Sequence, residues 1–173
     1  MTNVIAIGMT LIVLIPGSWW VSHTKLVGDR NDVESGWADV DAELQRRHAL
    51  IPQLVATVQA VATHERQLLV ELARRNDLAI AAPHTPAAAN QLEPPLADAV
   101  AQVVALRQQY PQLNSQHNFL DLQRQLALTE DRIAAARRYY NTRVERLNRR
   151  VEAFPSGLVA RRHGFAKAEF FDA

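Results

Sequence analysis

Histidines and carboxylates are the residues here whose spacing could support metal or acid–base chemistry. A carboxylate-bridged di-metal centre inside a helical bundle needs Glu-x-x-His pairs facing the core, and none of the six histidines has a glutamate three residues before it. His64-Glu65 starts a His-Glu-x-x-His pattern, but Leu68 stands where the second histidine belongs. Cysteine is absent, which removes thiolate metal ligands and disulfides. A Gly-rich phosphate loop and a Gly-x-Ser-x-Gly elbow are also missing, and Ser115 and Ser156 have no recognisable base or oxyanion hole. The expectation is therefore no catalytic residue, no metal site, no cofactor and no identifiable small-molecule substrate. His64 reads as a surface or hydrogen-bonded residue of a helix.

The remaining polar residues cluster in two places. Asp39, Asp41, Arg46 and Arg47 form one group, and Glu130, Asp131, Arg137, Arg138, Tyr139 and Asn141 the other. Two roles are open to them. They could make inter-helix ion pairs and hydrogen bonds that fix helix register, or they could form a partner-binding face. The first is preferred, with Asp41, Arg46, Arg47, Glu130, Arg137, Arg138 and Asn141 as the expected polar network. Trp37 and Tyr140 look like core anchors whose polar atoms need partners. With 19 Lys+Arg against 18 Asp+Glu, overall basicity gives no support to nucleic-acid binding. The charge is nevertheless uneven, because Arg137 to Ala173 holds nine Lys/Arg and four Asp/Glu. The C-terminal end is the basic pole.

Positioning these groups falls to helices, beginning with an apolar head. Val4 to Val21 is uncharged, and as a helix it would extend about 27 Å, near the roughly 30 Å of a bilayer's hydrocarbon. Val4, Ile5, Ile7, Leu11, Ile12, Val13, Leu14, Ile15, Trp19, Trp20 and Val21 are the expected membrane-span residues, with the two tryptophans at the interface. A cleaved signal peptide fits less well, because there is no basic leader and no clear small-x-small site. Lys25 and Arg30 follow the segment while its front is uncharged, so the N-terminus is expected outside and the rest in the cytoplasm, at a cell inner membrane.

Beyond it, apolar residues recur at 3-4 spacing, as in Val33, Trp37, Val40, Leu44 and Ile51, and again from Phe119 through Leu126, Ile133, Tyr140 and Leu147 to Phe154. Pro52 suggests a bend at Leu50–Ile51. The stretch from His84 to Pro95 reads as a connector because it carries Pro86, Pro94 and Pro95. These signals predict helices at about 31–50, 52–82, 94–110 and 115–154. The expected fold is all-α: an N-terminal transmembrane helix (residues 1–24), an antiparallel up-and-down four-helix bundle (25–154) and a short, membrane-proximal C-terminal tail (155–173).

Several motifs carry a family resemblance. The run from Trp37 to Val55, with Asp41, Leu44, Arg46-Arg47, Leu50-Ile51-Pro52 and Leu54, resembles the opening of LemA-family domains, as does the His64-Glu65 pair after it. Asn118-Phe119-Leu120, Thr129-Glu130-Asp131-Arg132-Ile133 and Arg137-Arg138-Tyr139-Tyr140-Asn141 are similar to the family's last helix. Phe154-Pro155-Ser156, Gly164-Phe165 and Glu169-Phe170-Phe171 resemble its tail. The chain departs from the pattern at Gly28-Asp29, Pro94-Pro95 and Arg162-His163. The resemblance implies a helical bundle behind one membrane helix. Relatives at the magnetosome membrane point to membrane organisation, with no defined biochemical activity.

Together these readings suggest a non-catalytic, membrane-anchored structural or scaffolding protein, with membrane lipids, copies of itself or other membrane proteins as partners. The alternative is a regulatory adaptor whose cytoplasmic face binds a signalling or proteolytic partner. Arg161, Arg162, Lys167, Phe165, Phe170 and Phe171 are the candidate lipid or partner contacts, with packing as a structural cap the competing role for the apolar ones.

Overall fold

The computed structural model describes residues 2–173, with side chains from Gly17 onward. Five α-helices follow in order: α1 (Thr2–Gln59), α2 (Arg66–Ala81), α3 (Pro86–Ala105), α4 (His117–Glu152) and α5 (Ser156–His163). Short 3-10 turns lie at Thr63–Glu65, Leu106–Gln108 and Pro111–Ser115. The described residues contain no strand.

This corrects the expected architecture of a transmembrane helix followed by a four-helix bundle. Among the described residues no helix is long and apolar enough to cross a membrane. Of the expected span, the side chains of Val4, Ile5, Ile7, Leu11, Ile12, Val13, Leu14 and Ile15 lie outside the described residues, whereas Trp19, Trp20 and Val21 are described and exposed. The short tail, to which the sequence assigns no helix, contains a fifth helix.

Two compact units divide the chain, Met1–Gly36 with Tyr139–Phe170 and Trp37–Arg138 with Phe171–Ala173. In the second unit the apolar seams meet in one core. Ile51, Leu54 and Val58 of α1 pack there with Leu69 and Leu72 of α2, Leu96 and Val103 of α3, and Phe119, Leu122 and Leu126 of α4. Full burial of each such side chain contributes about 1.5–3 kcal/mol, so this core dominates the unit's stability.

The bend expected at Leu50–Ile51 does not end the helix, because α1 runs through Pro52. Pro52 lacks an N–H, which leaves the His48 carbonyl without its helical donor. A different helix supplies the replacement: Asn76 of α2, itself buried, donates from Nδ2 to the His48 oxygen at 3.3 Å. The chain instead turns after Gln59, where the Val58 carbonyl accepts from both Val61 and Ala62. Continuing the helix would carry Glu65 along the apolar seam. With the turn, Ala62 fills the core and Glu65 accepts a hydrogen bond from the Tyr110 hydroxyl at 3.1 Å.

α3 starts at Pro86 and not at Pro94. Thr85 caps it, its hydroxyl accepting from the Ala88 N–H at 3.3 Å, and Pro86 takes the first turn, where a missing N–H is harmless. Pro94 and Pro95 sit inside the helix. They hold there because Leu96, Ala99 and Val103 are buried, while Arg75 of α2 donates to the Pro95 carbonyl at 2.6 Å.

In the first unit α1 and α4 run antiparallel, since Asp32 meets Arg143, Asp29 meets Arg146, and Lys25 meets Arg150. The helices approach closely at Gly36, where a Cβ would lie 3.1 Å from Arg143 Nη1. α1 passes through Gly28-Asp29 without interruption. α5 buries Gly157, Val159 and Ala160, and Gly164 ends it with φ +72°, a left-handed conformation that glycine adopts without strain. The chain then returns along α4, with Asn148 acting as its clamp. Asn148 Oδ1 accepts from Ala168 N–H at 2.8 Å and its Nδ2 donates to Ala168 carbonyl at 2.9 Å.

Candidate functional site

The most concentrated buried polar chemistry lies in the second unit, where α1, α3 and α4 meet around Arg47. Arg47 falls on the buried side of α1, next to Leu44 and Ile51 in the seam, so its guanidinium cannot reach bulk water. Two carboxylates compensate it. One is Glu93 of α3, also buried, which accepts from Arg47 Nη2. The other is Glu130 of α4, 2.8 Å from Nη1 and half exposed. His48 Nε2 lies 3.0 Å from the second oxygen of Glu93. Both oxygens of Glu93 are therefore engaged from one helix.

Burial alone raises the Glu93 carboxyl's pKa. The His48 hydrogen bond, the Arg47 and His48 charges and the Arg47 hydrogen bond together outweigh it and hold the group below its usual range. Glu93 is thus ionised at neutral pH and gives Arg47 a matched counter-charge in a low-dielectric setting. Removing one member strands the other, at about 3–5 kcal/mol.

A small cavity adjoins this centre, lined by Trp37, Asp41, His48, His84 and Glu93 among others, with a volume of about 20 Å³. That is room for one water, not for a substrate. Its rim is closed by hydrogen bonds: Trp37 Nε1 donates to the His84 carbonyl at 2.8 Å, His84 Nδ1 lies 2.7 Å from Asp41, and Gln45 donates to Asp41 at 2.6 Å. A carboxylate–histidine pair such as Glu93–His48 can orient or relay a proton to a reacting group within reach, and the hydroxyl in this lining, that of Thr85, accepts the cap hydrogen bond of α3 from Ala88. No group of three or more His, Cys, Asp or Glu able to hold a metal occurs among the described residues.

The expected polar network is distributed as follows. Arg47 and Glu130 meet directly. Asp41 serves the rim of the cavity, and Arg46 turns to Glu43 at 3.5 Å on the surface. Arg137 reaches the Ala173 backbone oxygen at 2.5 Å, holding the chain's last residues against α4. Arg138, the last α4 residue of the second unit, is exposed, and Asn141, in the first unit, is half-buried. His48 and Glu93 were not among the expected network. Glu93 is the single charged residue between Asp77 and Asp98, set against two prolines in an apolar stretch, and that isolation was the available signal.

The tail residues divide similarly. Phe171 is fully buried and stacks edge-on against Trp37 with ring centroids 5.6 Å apart. Phe165 is half-buried, 5.8 Å from the His23 ring, and Lys167 pairs with Glu152. Arg161 and Arg162 are exposed, as is Phe170. A second buried charge, Asp29, lies in the first unit, 3.3 Å from Arg146 and 2.7 Å from Arg150; the Arg150 Nη1 at that short distance directs its hydrogen bond to the Lys25 carbonyl. Tyr140, buried on α4, donates to the Glu169 carbonyl at 2.7 Å. Burial, with the Glu169 charge adding to it, pushes its hydroxyl up to about 12.

No curated protein matches the chain significantly. The family model described as LemA family matches residues 36–173, a stretch that includes Arg47, His48, Glu93 and Glu130 as well as the Asn148-clamped tail, and on that match the chain belongs to the LemA family.

Proposed function

We propose that this protein is a non-catalytic scaffold attached to the bacterial inner membrane, with its helical domain on the cytoplasmic side, assembling with copies of itself or with other membrane proteins. One observation carries the reading: the buried groups with chemical potential are spent on one another. Arg47, Glu93, His48 and Glu130 tie three helices together, and the cavity beside them holds about 20 Å³. Such an arrangement suits register and rigidity better than turnover. The uncharged run from Val4 to Val21 and the Trp19-Trp20 pair support attachment, and Lys25 and Arg30 support the side.

The adaptor reading has one observation in its favour. An open groove of about 490 Å³ along Gln45, Ala49, Pro52 and Ile80 could seat a partner segment, and Ile80 is half exposed there. Alkaline-washed membranes, then light scattering of the detergent-solubilised chain, test the proposal. The scaffold predicts retention in the membrane and a defined homo-assembly or complex with membrane proteins. Release into the soluble fraction overturns attachment, while a monomer carrying a soluble protein in fixed ratio favours the adaptor. A cytoplasm-only reporter fused after Ala173 should be active, and an export-dependent one silent.

A further inference from the structure

We infer that the corner joining α4 to α5, together with the turn of α1 at Ser18–Ser22, is an interfacial contact surface for a bilayer containing anionic phospholipid. The inference rests on the membrane attachment proposed above and names the surface that would meet the headgroups.

Of the large apolar side chains that stand open in this unit, four belong to these two segments. Phe154 is 85% exposed and Trp20 75%, with Leu158 and Trp19 each more than a third exposed. An apolar groove of about 310 Å³ runs between Ser18, Trp19 and Ser22 on one side and Phe154, Pro155 and Leu158 on the other. Phe154 would have continued the buried seam of α4 had that helix gone on, but α4 ends at Glu152 and the ring is released outward. α5 is two-faced. Gly157, Val159 and Ala160 pack inward, while Leu158, Arg161 and Arg162 face out. A clustered apolar exposure of this kind on an otherwise well-packed unit marks a contact surface.

Connectivity and charge identify the occupant. Ser18, Trp19 and Trp20 belong to the uncharged run that ends at Val21, so whatever medium takes that run lies against the groove. Aromatic rings beside basic residues are the composition of the headgroup layer. Lys25, Arg161 and Arg162 are exposed around the groove, and α5 contains no acidic residue. Acids that flank these segments in the chain are occupied, Glu152 by Lys167 and Asp29 by Arg150 at 2.7 Å. Arg161 donates from Nε to the Gly157 carbonyl at 3.3 Å, which fixes its stem and leaves the outer nitrogens for phosphate. A second protein copy would bring its own Lys25, Arg161 and Arg162 against these, with like charges facing; an anionic lipid surface does not.

Because the chain has no cysteine, single thiols can be placed at will. Phe154→Cys, Leu158→Cys and, as a control about 21 Å further along α1 than Trp20, Glu34→Cys are labelled with an environment-sensitive fluorophore in the full chain. The labelled proteins are reconstituted in vesicles of phosphatidylcholine with or without phosphatidylglycerol. Labels at 154 and 158 should emit to the blue of the Glu34→Cys label, be quenched by lipid-borne nitroxide and be protected from iodide. Phosphatidylglycerol should increase this difference, and high salt or Arg161→Gln with Arg162→Gln should remove the increase. Co-flotation with vesicles while both labels stay as open to iodide as the control would overturn the contact and leave attachment standing. Protection from iodide and nitroxide alike would place the surface in a protein interface and also overturn it. Failure to co-float overturns attachment and, with it, this contact.

Discussion

Replacing Asn76 tests how α1 survives Pro52. Asn76→Ala removes the Nδ2 donor from the His48 carbonyl, a bond of 3.3 Å at a buried site. A buried carbonyl left without a partner costs about 1–3 kcal/mol. Part of that is offset, since the Asn76 Oδ1 is itself buried with no hydrogen-bond partner and the substitution relieves it. A net destabilisation of about 1–2 kcal/mol is expected. Pro52→Ala restores a backbone N–H four residues after His48, so the carbonyl regains its helical donor and the side-chain amide becomes redundant. In that background Asn76→Ala should cost about 0.5 kcal/mol, leaving a coupling of about 1 kcal/mol between the two positions. Urea unfolding of wild type, both single variants and the double variant, followed by far-UV circular dichroism, gives the four corners of the cycle. A coupling no larger than about 0.5 kcal/mol, the scatter of independent sites, would refute the capping role.

Two other substitutions bear on the packing. The Glu93 carboxyl has a lowered pKa in the folded chain, so its stabilising contribution is present above the ordinary value of 4.5 and is lost as pH falls through the lower folded value. Glu93→Gln should therefore be less stable at pH 7 by about 3–5 kcal/mol, and the gap to wild type should narrow in thermal melts as pH falls below the ordinary 4.5. Gly157→Ala would bring a Cβ to 2.8 Å from the Val151 carbonyl oxygen, and backbone cannot easily give way there. A loss of about 1–3 kcal/mol is expected, read as faster hydrogen exchange in α5, whereas unchanged protection would show that the α4–α5 corner has slack.

Regular apolar spacing made most of the helices legible. Phe119, Leu122, Leu126, Ile133, Tyr140, Val144 and Leu147 keep the 3-4 rhythm in the sequence and are all buried in α4. Proline misled the reading in both directions. Pro52 looked like a boundary because its compensating donor, Asn76, lies on another helix, a contact no local pattern encodes. Pro94-Pro95 looked like a connector, although Thr85-Pro86, a capping hydroxyl before a first-turn proline, was a local start signal. Of the Arg47 centre, Arg47 and Glu130 stood out through their dense polar surroundings. His48 and Glu93 did not, because the meaning of a lone acid near two prolines depends on what folds against it. The exposed Phe154 was hidden by the continuity of the heptad, which does not record where a helix stops.

The Arg47 centre also governs which sequence changes are open to the chain. Glu93 faces both Arg47 and His48, and Arg47 faces both Glu93 and Glu130, so no pair in the group is private. A charge-reversing change at one position is damaging unless another changes with it, and a swap to apolar packing becomes tolerable only when Arg47 and Glu93 are replaced together. Substitutions here are expected to be epistatic: harmful singly, acceptable as a block. Diverging copies of this domain would thus keep the whole group or lose it whole, and a combinatorial library randomised at positions 47, 48, 93 and 130 should return correlated solutions, with few single-site variants among the folded clones.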